Sequence, residues 1–264
     1  MYYSIPSLNW GLLTRGCSVR KGFSSIGRVD MKVRHVLYVS YAVPHSRVRP
    51  LLPDTVPLST IEETSAFVSV VVLQSEDVRL ARLPLFRFNY GQINVRTYVT
   101  DPRTGNQAVY FLKSGVTSAS ISALTRLLGL SWEKVDLNIS AERDDSSLYT
   151  RYSVSGRWHG DVHVLAEETG IHPTEVAPFH DLESAVDYLV RPMIGLYGSK
   201  GSTRRFEISH SSLEPRAMRL LEFRLPLLDA MGLVREEEVL EPHSVLLVPE
   251  SPFRIFLPPT RLAA

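Results

Sequence analysis

Residues 92–113, QINVRTYVTDPRTGNQAVYFLK, form the stretch that decides the fold. Its first half alternates apolar and polar side chains, and its second half is again rich in β-branched and aromatic residues. Between them, Asp101–Asn106 carries proline, glycine and asparagine, so the stretch predicts two strands joined by a turn. Side chains alternate across a strand, which places Asn94, Arg96 and Tyr98 on one face. That polar face meets either solvent or a polar-lined cavity.

The chain on both sides of this hairpin also predicts short strands, because short apolar runs alternate with turn residues. The predicted strands are Val33–Val43, Ser65–Gln74, Lys134–Ala141, Ser147–Gly156, Asp161–Glu167, Arg204–His210, Ser244–Val248 and Phe253–Leu257. Helical spacing of apolar residues predicts two or three short helices, over Thr117–Leu128, Leu182–Val190 and Leu227–Met231. Residues 75–91 predict a long connection, and Ser211–Arg224 is left undecided. The pattern favours a mainly β (α+β) domain whose bent antiparallel sheet closes into a barrel.

Composition excludes several classes of protein. The 264 residues are 44% hydrophobic, which is enough for a full core, and the formal net charge of +1 does not favour nucleic acid as a partner. The single cysteine, Cys17, excludes an internal disulfide framework and favours a reducing compartment, so we expect a cytoplasmic protein. No apolar run approaches the roughly 20 residues that span a bilayer, so no membrane span is predicted.

The first 36 residues carry an unusual share of basic charge. They contain six basic residues and one acid, Asp30. A basic, serine-containing, acid-poor N-terminus is typical of a mitochondrial transit peptide, which gives the alternative localisation. A disordered tail, or an extension before a true start at Met31, is equally compatible. We therefore predict a basic N-terminal extension over residues 1–31 and one domain over residues 32–260, and leave open whether the extension is retained.

Arg96 is the most informative residue of the polar face. Arginine stays charged and cannot be buried without a partner. It can pair with a carboxylate such as Glu133 or Glu207, or it can present its planar fork to an anionic ligand. The sequence leaves these two alternatives open.

Three further residues are candidates for chemistry. Lys113 and Lys134 stand at strand ends, where most lysines reach water, but a desolvated lysine has a lowered pKa and can form a Schiff base. His210 ends a predicted strand, where it is either a general base or a core histidine bonded to the backbone.

No metal and no cofactor are predicted. His159 and His163 are four residues apart on strand-like sequence, where that spacing does not bring two imidazoles together as it does on a helix. Residues 198–203 resemble a phosphate loop only superficially, because the glycine spacing is wrong and no helix is predicted after them. The Gly-x-Ser-x-Gly elbow of serine hydrolases does not occur.

Several motifs together resemble the YqjF-like family, in the order in which that family has them. They are Arg49–Pro53, Asn94–Val99, Val109–Phe111, Leu196–Tyr197, Arg205–His210, Ala230–Leu233 and the Val245–Leu257 segment. That family is similar to acetoacetate decarboxylase, and the resemblance implies the same fold, a strongly bent sheet closed around a central cavity. It covers about Val36 to Pro258. These motifs are typical of the family but not of one reaction.

The resemblance to the decarboxylases does not extend to their catalytic groups. They use a Schiff-base lysine beside a second lysine, and the matching stretch here, Leu130–Lys134, has one lysine next to Glu133, which would raise its pKa. They also have an arginine directly after a tyrosine of the first strand, where Tyr41 is followed by Ala42. Their acidic residue could match Glu76 or Asp77. Acetoacetate decarboxylation itself is therefore not expected.

The leading hypothesis is an enzyme, lyase-like, that acts on a small anionic carbonyl or carboxylate compound in an enclosed cavity. Its predicted ligand-binding residues are Asn94, Arg96, Tyr98 and Lys113, and its predicted catalytic residues are Lys134 and His210. The competing hypothesis is a non-catalytic protein that binds a small molecule in the same cavity, and a third is an assembly partner with a vestigial cavity. The sequence leaves a homo-oligomer open.

Overall fold

Seven β-strands close into a barrel in the computed structural model of the chain, which describes residues 27–61, 64–81, 83–127, 129–170, 177–199, 201–211 and 213–262. The strands of the described residues are β1 (Arg28–Pro44), β2 (Ser65–Leu80), β3 (Leu83–Thr100), β4 (Gln107–Val116), β5 (Trp132–Lys134), β6 (Asp136–Arg143), β7 (Tyr149–Arg157), β8 (Asp161–Glu168), β9 (Ile194–Tyr197), β10 (Arg204–His210), β11 (Arg216–Arg224) and β12 (Ser244–Arg261). The barrel order is β1-β2-β3-β4-β9-β10-β12, and β12 pairs with β1 to close it. Strands β4 and β9 are parallel while the other barrel neighbours are antiparallel, so the barrel is mixed.

Four short α-helices accompany the strands in the described part of the chain. They are α1 (His45–Val48), α2 (Ala119–Leu127), α3 (Leu182–Leu189) and α4 (Pro226–Ala230), with 3-10 turns at Arg49–Leu51 and Glu236–Glu238. As predicted, Asp181 caps α3 by accepting the Ser184 amide N–H at 2.7 Å, and Gly129 lies after α2 with a φ of 74°, which favours glycine. The mainly β barrel fold predicted from the sequence is confirmed.

The two faces of the barrel wall have different partners. The outer face is covered by the second sheet, β6-β7-β8-β11, and the outward side chains of β1 to β4 share one apolar core with its buried residues. The inner face packs on α3 near Tyr98, where Val186 and Leu189 join its core. Nearer the other end of β3, Tyr90 packs with Ile121 of α2. Helix α3 closes one end of the barrel interior and α2 closes the other. The polar residues between Tyr90 and Tyr98 are therefore enclosed.

Residues 75–91 are not a long loop, contrary to the sequence prediction. Strand β2 runs on to Leu80 and β3 begins at Leu83, so the segment is a second hairpin. Its charges lie on solvated strand positions, where Asp77 pairs with both Arg79 and Arg87. Alternation of exposed charges with inward apolar residues is a strand pattern, although the charges by themselves resemble those of a polar connection.

The ends of three further segments can be compared with the sequence analysis. The two last predicted strands are one continuous strand, β12, and the undecided segment contains β11. The domain boundary predicted after residue 31 falls inside β1, which begins at Arg28. The extension predicted over residues 1–31 lies outside the described residues up to residue 26. Among the helices that the structure describes, none has the length and apolarity needed to cross a membrane.

Candidate functional site

A small cavity of about 90 Å³ lies inside the barrel. It is bordered by inward-facing side chains of β1, β2, β3, β4, β10 and β12, together with Trp132 of β5 and the residues that follow α3. Strand β3 supplies the polar part of the wall through Gln92, Asn94 and Arg96, which alternate with the buried outward residues Ile93 and Val95. The polar face found in the sequence therefore points into an enclosed space rather than into solvent.

Arg96 is a buried cation without an anionic partner in the described chain. Its side chain is only 8% exposed, and no carboxylate of the described residues lies within the 4.0 Å of a salt bridge. Its Nη2 donates to the Leu189 carbonyl at 2.7 Å, whereas its buried Nε has no hydrogen-bond partner there. The guanidinium also lies 5.2 Å from the centre of the Tyr38 ring. Because buried charges are normally paired, this guanidinium has spare capacity for an anion.

The end of α3 orients Arg96. Leu189 is the last residue of the helix, where backbone carbonyls have no partner within the helix and carry a partial negative charge. Its carbonyl accepts hydrogen bonds from Arg96 and from the Tyr98 hydroxyl, the latter at 2.8 Å. The helix end therefore holds the guanidinium in place with a partial charge, which does not cancel the full charge of the arginine.

Two buried amides lie beside this cation. Gln92 and Asn94 are both buried, and the Gln92 Nε2 donates to the Asn94 Oδ1 at 3.0 Å. An amide carries both donors and acceptors, so this pair can bind the neutral oxygens of a ligand next to a group bound by Arg96.

His210 borders the same cavity. Its Nδ1 lies 2.8 Å from the Ser211 carbonyl, and its ring stacks on Phe253 with centroids 5.0 Å apart. Because a carbonyl only accepts, Nδ1 carries the hydrogen, which leaves Nε2 of the neutral ring as an acceptor. That Nε2 is buried and has no hydrogen-bond partner among the described residues. His210 is thus available to accept a proton or a hydrogen bond from a molecule in the cavity.

Tyr98 lies deeper than the cavity and does not border it. The side chain is fully buried, and its hydroxyl contacts both the Leu189 carbonyl and the Ser69 hydroxyl, at 2.8 and 2.7 Å. Tyr98 does share the face of Asn94 and Arg96, as predicted, but α3 closes the barrel at that level. The structure therefore assigns to Tyr98 a contact with the anchor of Arg96 instead of a place in the cavity wall.

Lys113 lies on the opposite face of the barrel wall from the predicted one. A β-bulge shifts the register so that Arg96 pairs with Phe111 but Val95 pairs with Lys113. A shift of one residue moves a side chain to the other face, so Lys113 points outward, where its Nζ lies 3.0 Å from Glu133. The expected position of Lys113 in the polar wall is corrected accordingly.

Glu133 collects three donors on this outer face. Besides Lys113, the Trp158 Nε1 and the His159 Nε2 approach its carboxylate at 2.8 and 2.6 Å. Burial alone would raise the pKa of Glu133, but the hydrogen bonds from Trp158 and Lys113 hold that pKa below its ordinary value. Glu133 is fully engaged here, which excludes the suggested pairing of Glu133 with Arg96.

Lys134 does not reach the cavity either. Trp132 of the same strand borders the cavity, but the Lys134 side chain is exposed and its Nζ donates to the Val135 carbonyl at 2.6 Å. No lysine occurs among the described residues that border the cavity. Of the predicted catalytic and ligand-binding residues, the structure brings together Asn94, Arg96 and His210.

The other sequence candidates have partners of their own. Glu76 pairs with Arg34, while Asp77 pairs with two arginines of the second hairpin. His159 contacts Glu133 and His163 contacts Glu222, so the two histidines face different carboxylates. Within the described ranges, no group of three or more histidine, cysteine or acidic side chains is arranged to hold a metal ion.

Sequence reasoning missed several polar members of the wall, including Gln92 and Tyr38. Gln92 lies one alternation step before Asn94, so extending the same strand pattern by two residues would have found it. Tyr38 comes from β1, and burial raises the pKa of its phenol to about 12, partly opposed by the charge of Arg96. No local signal in β1 links Tyr38 to Arg96, since they meet only when the barrel closes.

Solved structures with this fold include enzymes. The enduracididine biosynthesis enzyme MppR complexed with pyruvate is 14% identical, covers 99% of each chain and has a TM-score of 0.58. Acetoacetate decarboxylase from Legionella pneumophila subsp. pneumophila str. Philadelphia 1 is 11% identical, with coverage of 99% of this chain and 98% of that one and a TM-score of 0.60. An acetoacetate decarboxylase-like enzyme from Sphingomonas wittichii RW1 is 13% identical, with coverage of 90% and 93% and a TM-score of 0.56. At these identities the likeness establishes the fold alone.

Sequence comparison gives the family. Curated protein sequences give no significant match. The DUF2071 family, whose description is "Uncharacterized conserved protein (COG2071)", matches residues 30–252, which is most of the chain. The solved structures confirm the acetoacetate decarboxylase-like fold that the motifs implied. The chain therefore belongs to the DUF2071 family.

Proposed function

We propose that this protein takes a small anionic carbonyl or carboxylate compound into the barrel cavity, with Arg96 as the ligand of the anion. The observation that carries the proposal is the buried Arg96 guanidinium, which borders the cavity and has no carboxylate partner among the described residues. A carboxylate from outside would complete the pairing that a buried cation normally has, in the two-pronged geometry that a guanidinium favours.

The size of the cavity limits what can bind next to Arg96. Its volume of about 90 Å³ is well below the roughly 300–1,000 Å³ of pockets for drug-sized ligands. A carboxylate and a few neighbouring atoms fit, with a carbonyl or hydroxyl oxygen of the ligand against Gln92 and Asn94. A nucleotide or a sugar phosphate does not fit in this space.

The enzymatic form of the proposal uses His210. Its buried, unpartnered Nε2 is an acceptor that can take a proton from the carbon next to a carbonyl, while Arg96 stabilises the negative charge of the ligand. The electron pair of that C–H bond moves to the carbonyl oxygen as an enolate, and loss of a leaving group from the neighbouring carbon would complete a lyase reaction. A Schiff base at Lys134 would instead require its Nζ to leave the Val135 carbonyl and enter the cavity.

The second candidate function is binding without catalysis. It is favoured by the lack of any lysine among the described residues that border the cavity, because carbonyl chemistry through an imine has no amine there. In that case the protein stores or senses the same class of compound. Borohydride trapping with 2-oxo and 3-oxo acids separates the cases, since only an imine is trapped, and an adduct on Lys134 would restore the Schiff-base form.

Thermal unfolding with added carboxylates tests the proposal. We expect pyruvate, acetate or acetoacetate to stabilise the wild type, by about 2.7 kcal/mol when the ligand is at 100 times its Kd. The Arg96→Met variant should lose this stabilisation. The matched control is Arg205→Met, which removes an arginine of the same 8% exposure that does not border the cavity and should keep the ligand-induced shift.

A second control variant is available, because Arg205→Met leaves the buried Asp101 carboxylate without its cation and can prevent folding. If that variant does not fold, the double variant Asp101→Asn/Arg205→Met removes the buried charge together with its partner. The proposal fails if no carboxylate shifts the wild type, or if Arg96→Met keeps the whole shift.

A further inference from the structure

A second, larger space adjoins the cavity at the end away from α3. Its volume is about 370 Å³, and apolar side chains from the second hairpin, α2 and β12 make up most of its border. Val78, Phe88, Ile121, Leu124, Leu130 and Leu257 are among them. The one charged residue among its described border residues, Arg79, pairs with Asp77. We call this space the apolar chamber.

The cavity and the apolar chamber lie side by side and share part of their walls. Five residues border both spaces, namely Met31, Tyr90, Trp132, Phe206 and Ile255. They supply apolar and aromatic surface, and burial raises the pKa of the Tyr90 phenol to about 12, so that group stays neutral. A molecule bound at Arg96 that extends past this border therefore enters apolar surroundings.

The cavity and the apolar chamber lie one after the other along strand β3. Its inward residues run Phe88, Tyr90, Gln92, Asn94, Arg96, from an aromatic ring through a phenol and two amides to a cation. With about 3.3 Å per residue, the strand positions of Phe88 and Arg96 are roughly 26 Å apart. The barrel thus presents charge at one end of a line and apolar surface at the other, which is the complement of an acid with an apolar tail.

We propose that the ligand is a carboxylic acid with an apolar tail, bound with the carboxylate at Arg96 and the tail in the apolar chamber. This inference rests on the proposed function, because Arg96 is again the ligand of the acid. It adds the chemical class of the remainder of the molecule. A small polar acid such as a hydroxy dicarboxylate would leave the apolar chamber empty and gain nothing from it.

The wall of the apolar chamber also supplies an entrance. Leu124 of α2 borders the chamber yet is 44% exposed, and Phe88 on the facing hairpin is 36% exposed. Partly exposed apolar side chains at the mouth of an apolar space provide a surface on which an apolar tail can lie.

Calorimetric titration with straight-chain acids from acetate to hexadecanoate, and with the matching alcohols, tests the inference. We expect the affinity of the acids to rise about fourfold per methylene once the chain passes the shared border, which is the effect of burying one methylene. Leu124→Gln should flatten this dependence on length while leaving acetate unchanged. Leu127→Gln is the matched control on the same helix, because Leu127 is 84% exposed and does not border the apolar chamber.

The outcomes separate the two proposals. Acids that bind through Arg96 with affinities independent of length overturn the apolar-tail inference and leave the proposed function standing. Equal loss of affinity in Leu124→Gln and Leu127→Gln also overturns the inference, since the tail would then lie on the outside of α2. Alcohols that bind as tightly as acids, with no effect of Arg96→Met, overturn the proposed function and the inference with it.

Discussion

Two arginines in the barrel wall are equally buried but have different kinds of partner. Arg96 and Arg205 are both 8% exposed. Arg205 of β10 contacts two carboxylates, with its Nε 2.9 Å from Asp101 and its Nη1 2.7 Å from Glu207. Arg96 of β3 contacts a backbone carbonyl at the end of α3. Burial is the same, so the difference lies entirely in the charge of the partners.

The partners of Arg205 explain a structural role. Asp101 is the first residue of the β3–β4 turn and is fully buried, so the ion pair ties that turn to β10 across the barrel. Burial alone would raise the pKa of Asp101, but hydrogen bonds from Thr104 and Arg205 hold that pKa below its ordinary value. Glu207, one of the two carboxylates that the sequence suggested for Arg96, belongs to this cluster instead.

An equally buried arginine without such partners costs stability unless something else compensates its charge. Helix-end carbonyls compensate a fraction of a charge, and stacking on Tyr38 adds a smaller share. The remaining imbalance is located at the cavity and not within the wall. Unbalanced charge in an enclosed space is typical of functional sites, whereas a balanced buried pair is typical of a structural link.

The largest expected effect is on folding stability. Arg205→Met should lower the free energy of unfolding by about 3–5 kcal/mol, because it leaves Asp101 buried and charged without its cation. Arg96→Met should change it by about 1 kcal/mol or less, since no carboxylate is left bare and Tyr98 still donates to Leu189. Urea unfolding of the two variants and the wild type measures both values.

The contrast between the two arginines would be contradicted if Arg96→Met lowered the free energy of unfolding more than Arg205→Met. A loss of 3 kcal/mol or more in Arg96→Met without ligand would identify Arg96 as a structural residue. The double variant Asp101→Asn/Arg205→Met serves as the check on mechanism, because removing both charges should recover part of the stability lost in Arg205→Met.

The second expected effect is a pH dependence of the difference in unfolding free energy between the wild type and Arg205→Met. A carboxyl whose pKa is lowered in the folded state adds stability above its unfolded pKa of about 3.9, and that stability disappears as the pH falls through the folded value. The gap in unfolding free energy between wild type and Arg205→Met should therefore narrow as the pH falls from 7 to 3. Unfolding curves across this range give the gap directly.

Arg96→Met is the control for this pH profile. No carboxylate of the described residues pairs with Arg96, so its gap to the wild type should stay constant over the same range in buffers without carboxylates. A gap for Arg96→Met that narrows like that of Arg205→Met would reveal an acidic partner of Arg96.

The sequence was sufficient to place one of the two arginines and not the other. Alternation along β3 put Asn94 and Arg96 on one face, and the family motifs implied a closed barrel with a cavity, both of which the fold bears out. Pairing of Arg205 with Asp101 joins residues 104 positions apart and depends on the barrel being closed. A pattern within one strand carries no information about such a contact.

The wrong predictions each have a local structural cause. Lys113 was predicted as a strand-end lysine of the polar wall, but the bulge in β4 turns its side chain to the outer face. Tyr98 was assigned to the correct face, but the packing of α3 ends the cavity before it. Residues 75–91 were taken for a loop because their charges obscure the inward apolar residues Val78, Phe88 and Tyr90. Bulges and helix docking are set by tertiary packing, so strand periodicity alone cannot predict them.

The smallest expected effect concerns the anchor that Arg96 shares with Tyr98. Removing the hydroxyl in Tyr98→Phe leaves the Leu189 carbonyl bonded to Arg96, and leaves the Ser69 hydroxyl bonded to that of Ser40 at 2.8 Å. No buried group loses its last partner, so we expect a cost of about 1 kcal/mol in unfolding free energy. Carboxylate affinity, measured by calorimetry, should change less than about twofold. A loss of carboxylate binding comparable to that of Arg96→Met would mean that Tyr98, and not the end of α3 alone, positions the guanidinium, and the contrast with the doubly paired Arg205 would then rest on one hydroxyl group.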